Sequence, residues 1–183
     1  TRDGIRAEIS THKSLSLGSD YTIFDLIPDH AKKHKNNNPI ISNDDLEKIK
    51  YIDHEDFKAC SINANYEISK GHNGLEKALD MIVDKVEKKV DNNHNIIILS
   101  DRKTSKKYAP IPILLVCSYV HHSLIKRKKR SKFGIVIESA EPREPHHFSM
   151  LFGYGASAIN PYMVNEIIEY HHKLGFLNEQ KLD

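Results

Sequence analysis

The sequence predicts an α/β domain, a partial (βα) TIM-barrel-like fold amounting to roughly half a barrel of parallel strands with covering helices. Three observations point there. Two short runs, residues 95–100 (NIIILS) and 133–138 (FGIVIE), are almost wholly apolar, as strands buried on both faces by a parallel sheet tend to be. Segments with apolar residues three and four apart stand between and around them, the period of an amphipathic helix. Polar residues then gather where the strand runs end, at Ser100-Asp101-Arg102 and in the loop 138–144. In βα folds the loops after the strands face one way and share one surface.

Taken in order, residues 1–50 read as an irregular N-terminal arm and residues 51–183 as βα units of one domain. Turn signals stand at Gly18-Ser19-Asp20 and Pro28-Asp29, and Ile23, Phe24, Leu26 and Ile27 could anchor the arm. Asn36-Asn37-Asn38 is a polar spacer. Ser42 and Asp45 have the spacing of a loose capping box for a short helix carrying Leu46 and Ile49. Alternation over residues 60–68 predicts a strand.

Leu75, Leu79, Ile82, Val83, Val86 and Val90 form one face of a helix over 74–90, closed by a turn at Asp91-Asn92-Asn93. After the strand at 95–100, a helix begins near Pro110 or Pro112, where proline suits a first turn. It carries Leu114, Leu115, Cys117, Val120, Leu124 and Ile125. The strand at 133–138 precedes a helix from Pro145 to Phe152, broken at Gly153-Tyr154-Gly155. A short segment, 156–160, leads to a last amphipathic helix over 161–173. The count is about four βα units, half the eight of a closed barrel.

Composition narrows the function classes. A chain of 183 residues with 39% hydrophobic and 28% charged residues holds one domain with a core of its own. A net charge of +2 gives no global electrostatic reason to bind nucleic acid. The two cysteines, Cys60 and Cys117, read as reduced core thiols of an intracellular protein, cytoplasmic or organellar. No apolar run reaches the ~20 residues that span a bilayer, so no membrane partner is expected.

Twelve histidines, with the pairs His121-His122, His146-His147 and His171-His172, raise the question of a metal. Neighbouring histidines are expected to point to different sides of an element, and neither H-E-x-x-H nor a Cys/His set is present. These imidazoles are expected to hydrogen-bond and stack at packed loop ends, with no metal. The basic run Lys126-Arg127-Lys128-Lys129-Arg130 with Lys132 would suit the carboxyl end of a helix dipole. The alternative is a stand-alone module binding an anion or nucleic acid through that run. Gly153-Tyr154-Gly155 lacks the spacing of a phosphate cradle and reads as a tight reversal needing glycine dihedrals. Asp101 and Arg102 after one strand, and Glu141, Arg143 and Glu144 with His146 and His147 after the next, make a polar surface without a readable reaction. Charges this dense beside apolar strands must pair with each other or with a partner.

Several motifs then stand in fixed order: ILSDR (98–102), APIP (109–112), VHH (120–122), VIES-x-EPRE-x-HHF (136–148) and GYGASAINPY (153–162). With NPIISNDDLEKIKYID (38–53), SLSLG and FDLIPDHAKK, they make the chain resemble the central domain of glutamate synthase, from end to end and most strongly over 74–168. The resemblance implies a domain between a glutamine amidotransferase domain and an FMN-binding barrel with an iron–sulfur cluster. The parent would make L-glutamate from glutamine and 2-oxoglutarate, and the central domain would help wall the ammonia route. The resemblance assigns no catalytic, cofactor or metal residue to this stretch. Asp101, Arg102, His121, His122, Arg143, Glu144, His146, His147 and Asn160 are the candidates for interdomain or structural roles. Where the family's wording is glycine-rich, Ala140-Glu141-Pro142-Arg143-Glu144-Pro145 stands here, with two prolines that stiffen the turn.

Overall fold

The computed structural model describes residues 38–176 apart from 53, together with the backbone of two short strands near the N-terminus. Those strands, β1 (Leu15–Leu17) and β2 (His34–Asn36), pair antiparallel. The anchoring expected of Ile23, Phe24, Leu26 and Ile27 lies outside the described residues.

The centre is a parallel sheet of β3 (Ala59–Asn63), β5 (Ile96–Ser100), β7 (Gly134–Glu138) and β8 (Ala156–Asn160), neighbours in that order. Each strand leads, through its helix, to the next: α2 (Gly71–Asp91), α3 (Ile113–Lys126), α4 (Pro145–Gly153), and α5 (Tyr162–Lys173) after the last. This is the expected four-unit partial barrel, and the sheet does not close. A register shift between Ile135 and Val136 pairs them with Ala156 and Ala158, leaving Ser157 as a bulge in β8.

Register decides what each face meets. Ile62, Ile97, Leu99, Ile135, Ile137 and Ile159 point outward into the core made with α2, α3 and α4, where Val86, Val116, Val120 and Leu124 are buried. Ile96, Ile98, Val136 and Ala158 point inward. A whole barrel would cover that inner face with further strands. Here α1 (Asn43–Lys50) lies on it, inserting Leu46 and Ile49 beside Ile41. Burying each such aliphatic side chain contributes about 1.5–3 kcal/mol, so the short helix is part of the core. The Ser42 hydroxyl accepts from the Asp45 N–H at 3.1 Å, the cap its spacing predicts. Residues 39–41 run parallel to β8 and bond both its Ile159 N–H and C=O, which covers that edge of the sheet.

Two expectations are corrected. The single strand expected over 60–68 is two. Ala64 donates to Ser100 O and accepts from the Ile111 N–H, turning the chain out of the sheet so that β4 (Asn65–Glu67) pairs antiparallel with β6 (Tyr108–Pro110). Pro110 therefore ends a strand, and α3 starts at Ile113 with Pro112 as its N-cap. The buried face of α3 is Ile113, Val116, Cys117, Val120 and Leu124. Leu115 and Ile125, also carried by this helix, are exposed because they fall off the three-four spacing.

Candidate functional site at the carboxyl ends of the strands

Asn63, Ser100, Glu138 and Asn160 are register partners in one row at the last position of the four strands. They share the inward parity of the apolar rows beneath them, so a polar rung closes the inner face. Glu138 is only 2% exposed and accepts from Arg102 Nε at 2.7 Å and Lys50 Nζ at 3.0 Å. The Arg102 guanidinium also reaches Glu166 at 3.3 Å and lies 4.0 Å from the centre of the Tyr162 ring, a cation–π geometry. The Tyr162 hydroxyl donates to Asp101 Oδ1 at 2.9 Å. Asp101, 2% exposed, accepts on Oδ2 from the Ser139 hydroxyl at 2.6 Å and the Ala140 N–H at 3.2 Å. Asn160 donates to Ile41 O at 3.1 Å and Asn43 Oδ1 at 3.0 Å.

One polar network thus ties three strand ends to α1 and α5, and its chemistry is that of a clasp. Glu138 meets two cations, both on Oε1, and Asp101 meets three donors shared over its two oxygens, so both carboxylates are engaged within the domain. Burial, and then the hydrogen bond to Asp101, push the Tyr162 phenol well above its ordinary range, which removes it as an acid near neutral pH. The Ser139 hydroxyl donates to the Asp101 carboxylate, and among the described residues no histidine bonds it, so the serine–histidine pairing of an activated nucleophile is not formed there.

A second cluster lies where β7 leads into α4. Glu141 accepts from the Ile113 N–H at 3.0 Å and so caps α3, whose own cap residue is a proline. Desolvation there raises the Glu141 carboxyl, against the lowering effect of that N–H. Glu144 and His147 cap α4 reciprocally, His147 Nδ1 accepting from the Arg143 and Glu144 N–H groups. His146 Nδ1 sits 3.4 Å from Glu144. The expectation that adjacent histidines diverge fails here: the His146 and His147 rings are 4.1 Å apart, because each turns back toward the cap. Glu144, His146 and His147 bring possible donor atoms within 4.8 Å of one another. The His147 nitrogen in the cap is already engaged by two N–H groups, and binding a cation through its other nitrogen would require the tautomer that breaks them.

The third group joins α3 to β8. Arg130 donates to His121 Nδ1 at 2.9 Å, to Phe133 O at 2.7 Å and to Gly155 O at 2.7 Å. His122 stands edge-on to His121 and Tyr154, the stacking expected of these imidazoles. Burial, then the Arg130 and His122 charges, hold the His121 pKa below its usual value. A histidine with a depressed native pKa binds fewer protons folded than unfolded, so its stabilising effect is present above the unfolded pKa of ~6.5 and is lost as pH falls below it. We expect stability to drop from pH 7 to pH 5 more steeply in the native chain than in His121→Gln, measured by urea titration. Parallel pH profiles would remove His121 from this role.

Arg127, Lys129 and Arg130 of the basic run are engaged by the fold. Arg127 pairs with Asp84 and Glu87, and Lys129 with Glu87 and Asp91, all on α2. Cys60 and Cys117 are free thiols, pushed up by burial to about 11 and about 12, and so behave as small core hydrophobes. Among the described residues no helix is long and apolar enough to cross a membrane.

Asp101, Arg102 and Asn160 therefore come together at the strand ends, Arg143, Glu144, His146 and His147 at the α4 cap, and His121 and His122 beside Arg130. Sequence reading missed Glu138, Lys50 and Tyr162. The period-two parity of residues 134–138 could have placed Glu138 inward, whereas nothing local marks Lys50, whose partner lies 88 positions away.

The chain is similar to proteins of known identity. The family described as "Glutamate synthase central domain" matches residues 2–183. The chain is 35% identical over 161 residues to the glutamate synthase [NADPH] large chain of Bacillus subtilis, covering 88% of this chain and 10% of that protein. It is 29% identical over 168 residues to the glutamate synthase [NADH] of Schizosaccharomyces pombe, covering 91% and 8%. The ferredoxin-dependent glutamate synthase of Pyropia yezoensis is 30% identical over 167 residues, covering 90% and 11%. The chain thus spans about a tenth of the length of these relatives, and it belongs to the glutamate synthase central domain family.

Proposed function

We propose that this domain joins the glutamine amidotransferase domain of a glutamate synthase to its FMN-binding synthase domain, and that its strand-end surface helps wall the ammonia route between them. The parent would transfer the amide nitrogen of glutamine to 2-oxoglutarate and reduce the product to L-glutamate, inside the cell or one of its organelles. The observation that carries this reading is α5. It completes the fourth βα unit, yet none of its residues is buried. Ile167, Tyr170, Leu174 and, just beyond, Phe176 present apolar surface to solvent. An amphipathic helix of this kind is stabilised by whatever covers it, and neighbouring domains of one polypeptide supply such a cover.

The redox groups belong to that neighbourhood and do not fit this chain. An iron–sulfur cluster needs several cysteine thiolates, and the sequence has two cysteines, both neutral core thiols. Among the described residues, the cavities beside the strand ends and α4 measure about 240 and about 230 Å³, below the ~300 Å³ at which sites for larger ligands begin. The 183-residue chain alone is therefore expected to bind no FMN and make no glutamate; a stoichiometric yellow flavin on purification would overturn this. Within the full-length polypeptide, Ile167→Asp with Leu174→Asp should loosen the domain contact. Glutamine-dependent glutamate formation should fall several-fold while glutamine hydrolysis persists and ammonia appears in solution. Unchanged coupling of the two half-reactions would argue against the linking role.

A further inference from the structure

The two sides of α5 are unlike. Its inner side meets the rest of the domain, where Asn165 donates to Ile41 O and Asn43 Oδ1, both at 3.4 Å, and Ile168 is half-buried. On the opposite side Met163, Ile167, Tyr170 and the cap residue Leu174 follow one another at spacings of four, three and four. At roughly 100° per residue these four fall within about 60° of arc. That is the narrow seam of a 3.5-residue repeat, unlike the broad face a helix turns to a globular core. Ile167, Tyr170 and Leu174 are 48%, 61% and 49% exposed. Polar residues bound the stripe, Glu166 and Lys173 on one margin and His171 on the other. Its end is fixed as well. Gly175, at φ +74°, donates to His172 O, and Phe176 donates to His171 O, the pair of bonds of a Schellman cap. Phe176 is thereby held beside His171, ring centroids 5.9 Å apart, while 72% exposed.

We propose that the element covering this ridge is a single α-helix of a neighbouring domain, laid along α5 in a two-helix seam. The inference rests on the linking role proposed above and adds what kind of element does the covering. A seam uses only the narrow stripe, about three turns or ~16 Å long. It leaves the charged margins at its edges, where they stay solvated and pair across it. A flat cover, such as a sheet, would bury Glu166, His171 and Lys173 along with the stripe and desolvate them. The margins also set the partner's chemistry. Its apolar residues recur three and four apart to meet Ile167 and Tyr170, and one of its sides carries a cation opposite Glu166 and an acid opposite Lys173.

The test is cysteine reactivity along α5 in the full-length polypeptide, read by mass spectrometry on residues 144–173, a stretch with no cysteine of its own. Ile167→Cys and Tyr170→Cys should be alkylated by iodoacetamide at least tenfold more slowly than Glu169→Cys, which lies off the stripe. Glu166→Cys and His171→Cys should stay within about threefold of Glu169→Cys. Adding Lys173→Glu, which sets like charges across the seam, should speed alkylation of Tyr170→Cys several-fold at low ionic strength and less at high. A rate unmoved by that reversal would overturn the charges assigned to the partner. Equally slow alkylation at 166, 167, 170 and 171 would mean a flat cover, overturning the helix while leaving the linking role standing. Protection that disappears on dilution would put a second copy of the chain on the ridge and overturn the assignment to a neighbouring domain. Fast alkylation at every position would leave α5 uncovered and overturn this inference and the linking role together.

Discussion

Asp101→Ala is expected to cost about 4 kcal/mol of folding stability, among the largest single-site effects in the domain. The carboxylate is buried and accepts from Ser139, Ala140 and Tyr162. Removing one partner of a buried charged network typically costs ~3–5 kcal/mol, because the groups left behind stay desolvated and unmet. Ser139 is wholly buried, so its hydroxyl cannot turn to water. Asp101→Asn keeps the shape and one acceptor but turns an amide N–H₂ toward existing donors, and should cost about half as much. Tyr162→Phe loses a single hydrogen bond to the carboxylate, worth roughly 1.5 kcal/mol. The double variant should then cost less than the sum of the singles, by on the order of 1 kcal/mol. Urea unfolding of the 183-residue chain measures all four through the midpoint at constant slope. An Asp101→Ala loss below ~1 kcal/mol would mean that the network is bystander polarity.

The contrast between Asp101 and Lys50 explains what the sequence reveals. Asp101 follows an unbroken Ile-Ile-Ile-Leu run, so strand, strand end and polar junction are legible from local pattern. The same logic finds α2 from Leu79, Val83 and Val86, and the reversal after α4 from its glycines. Lys50 looks like an ordinary solvated residue in the last turn of a short helix. Its role exists only because α1 lies on the inner face of the half-barrel, and that placement depends on long-range packing of Leu46 and Ile49. The β4–β6 pairing was hidden for the same reason: three-residue strands carry too little alternation to outweigh a neighbouring helix signal. The histidine pair at 146–147 shows a further limit. Side-chain direction follows from average element geometry, and a reciprocal cap overrides that average.

Gly155→Ala is the second large effect, about 3 kcal/mol, and it tests how α3 is locked to β8. Gly155 has φ +98°, a conformation that a residue with a Cβ adopts only with strain of roughly 1–2 kcal/mol. The added methyl would also stand 2.1 Å from His121 Nδ1, far inside contact distance. That ring cannot simply swing aside, because its Nδ1 accepts from Arg130, and the same guanidinium bonds the Gly155 carbonyl. Relief of the clash therefore breaks a bond on each side, adding ~1–3 kcal/mol as overpacking does. Gly153 has open space where its Cβ would stand, so Gly153→Ala in the same reversal should change stability by well under 1 kcal/mol and serves as the internal control. If the paired urea midpoints moved together, the His121–Arg130–Gly155 contact would be incidental. If only Gly155→Ala moves, and Gly155→Ala with His121→Gly recovers part of the loss, then the close approach of one imidazole to one backbone carbon sets the requirement for glycine at that position.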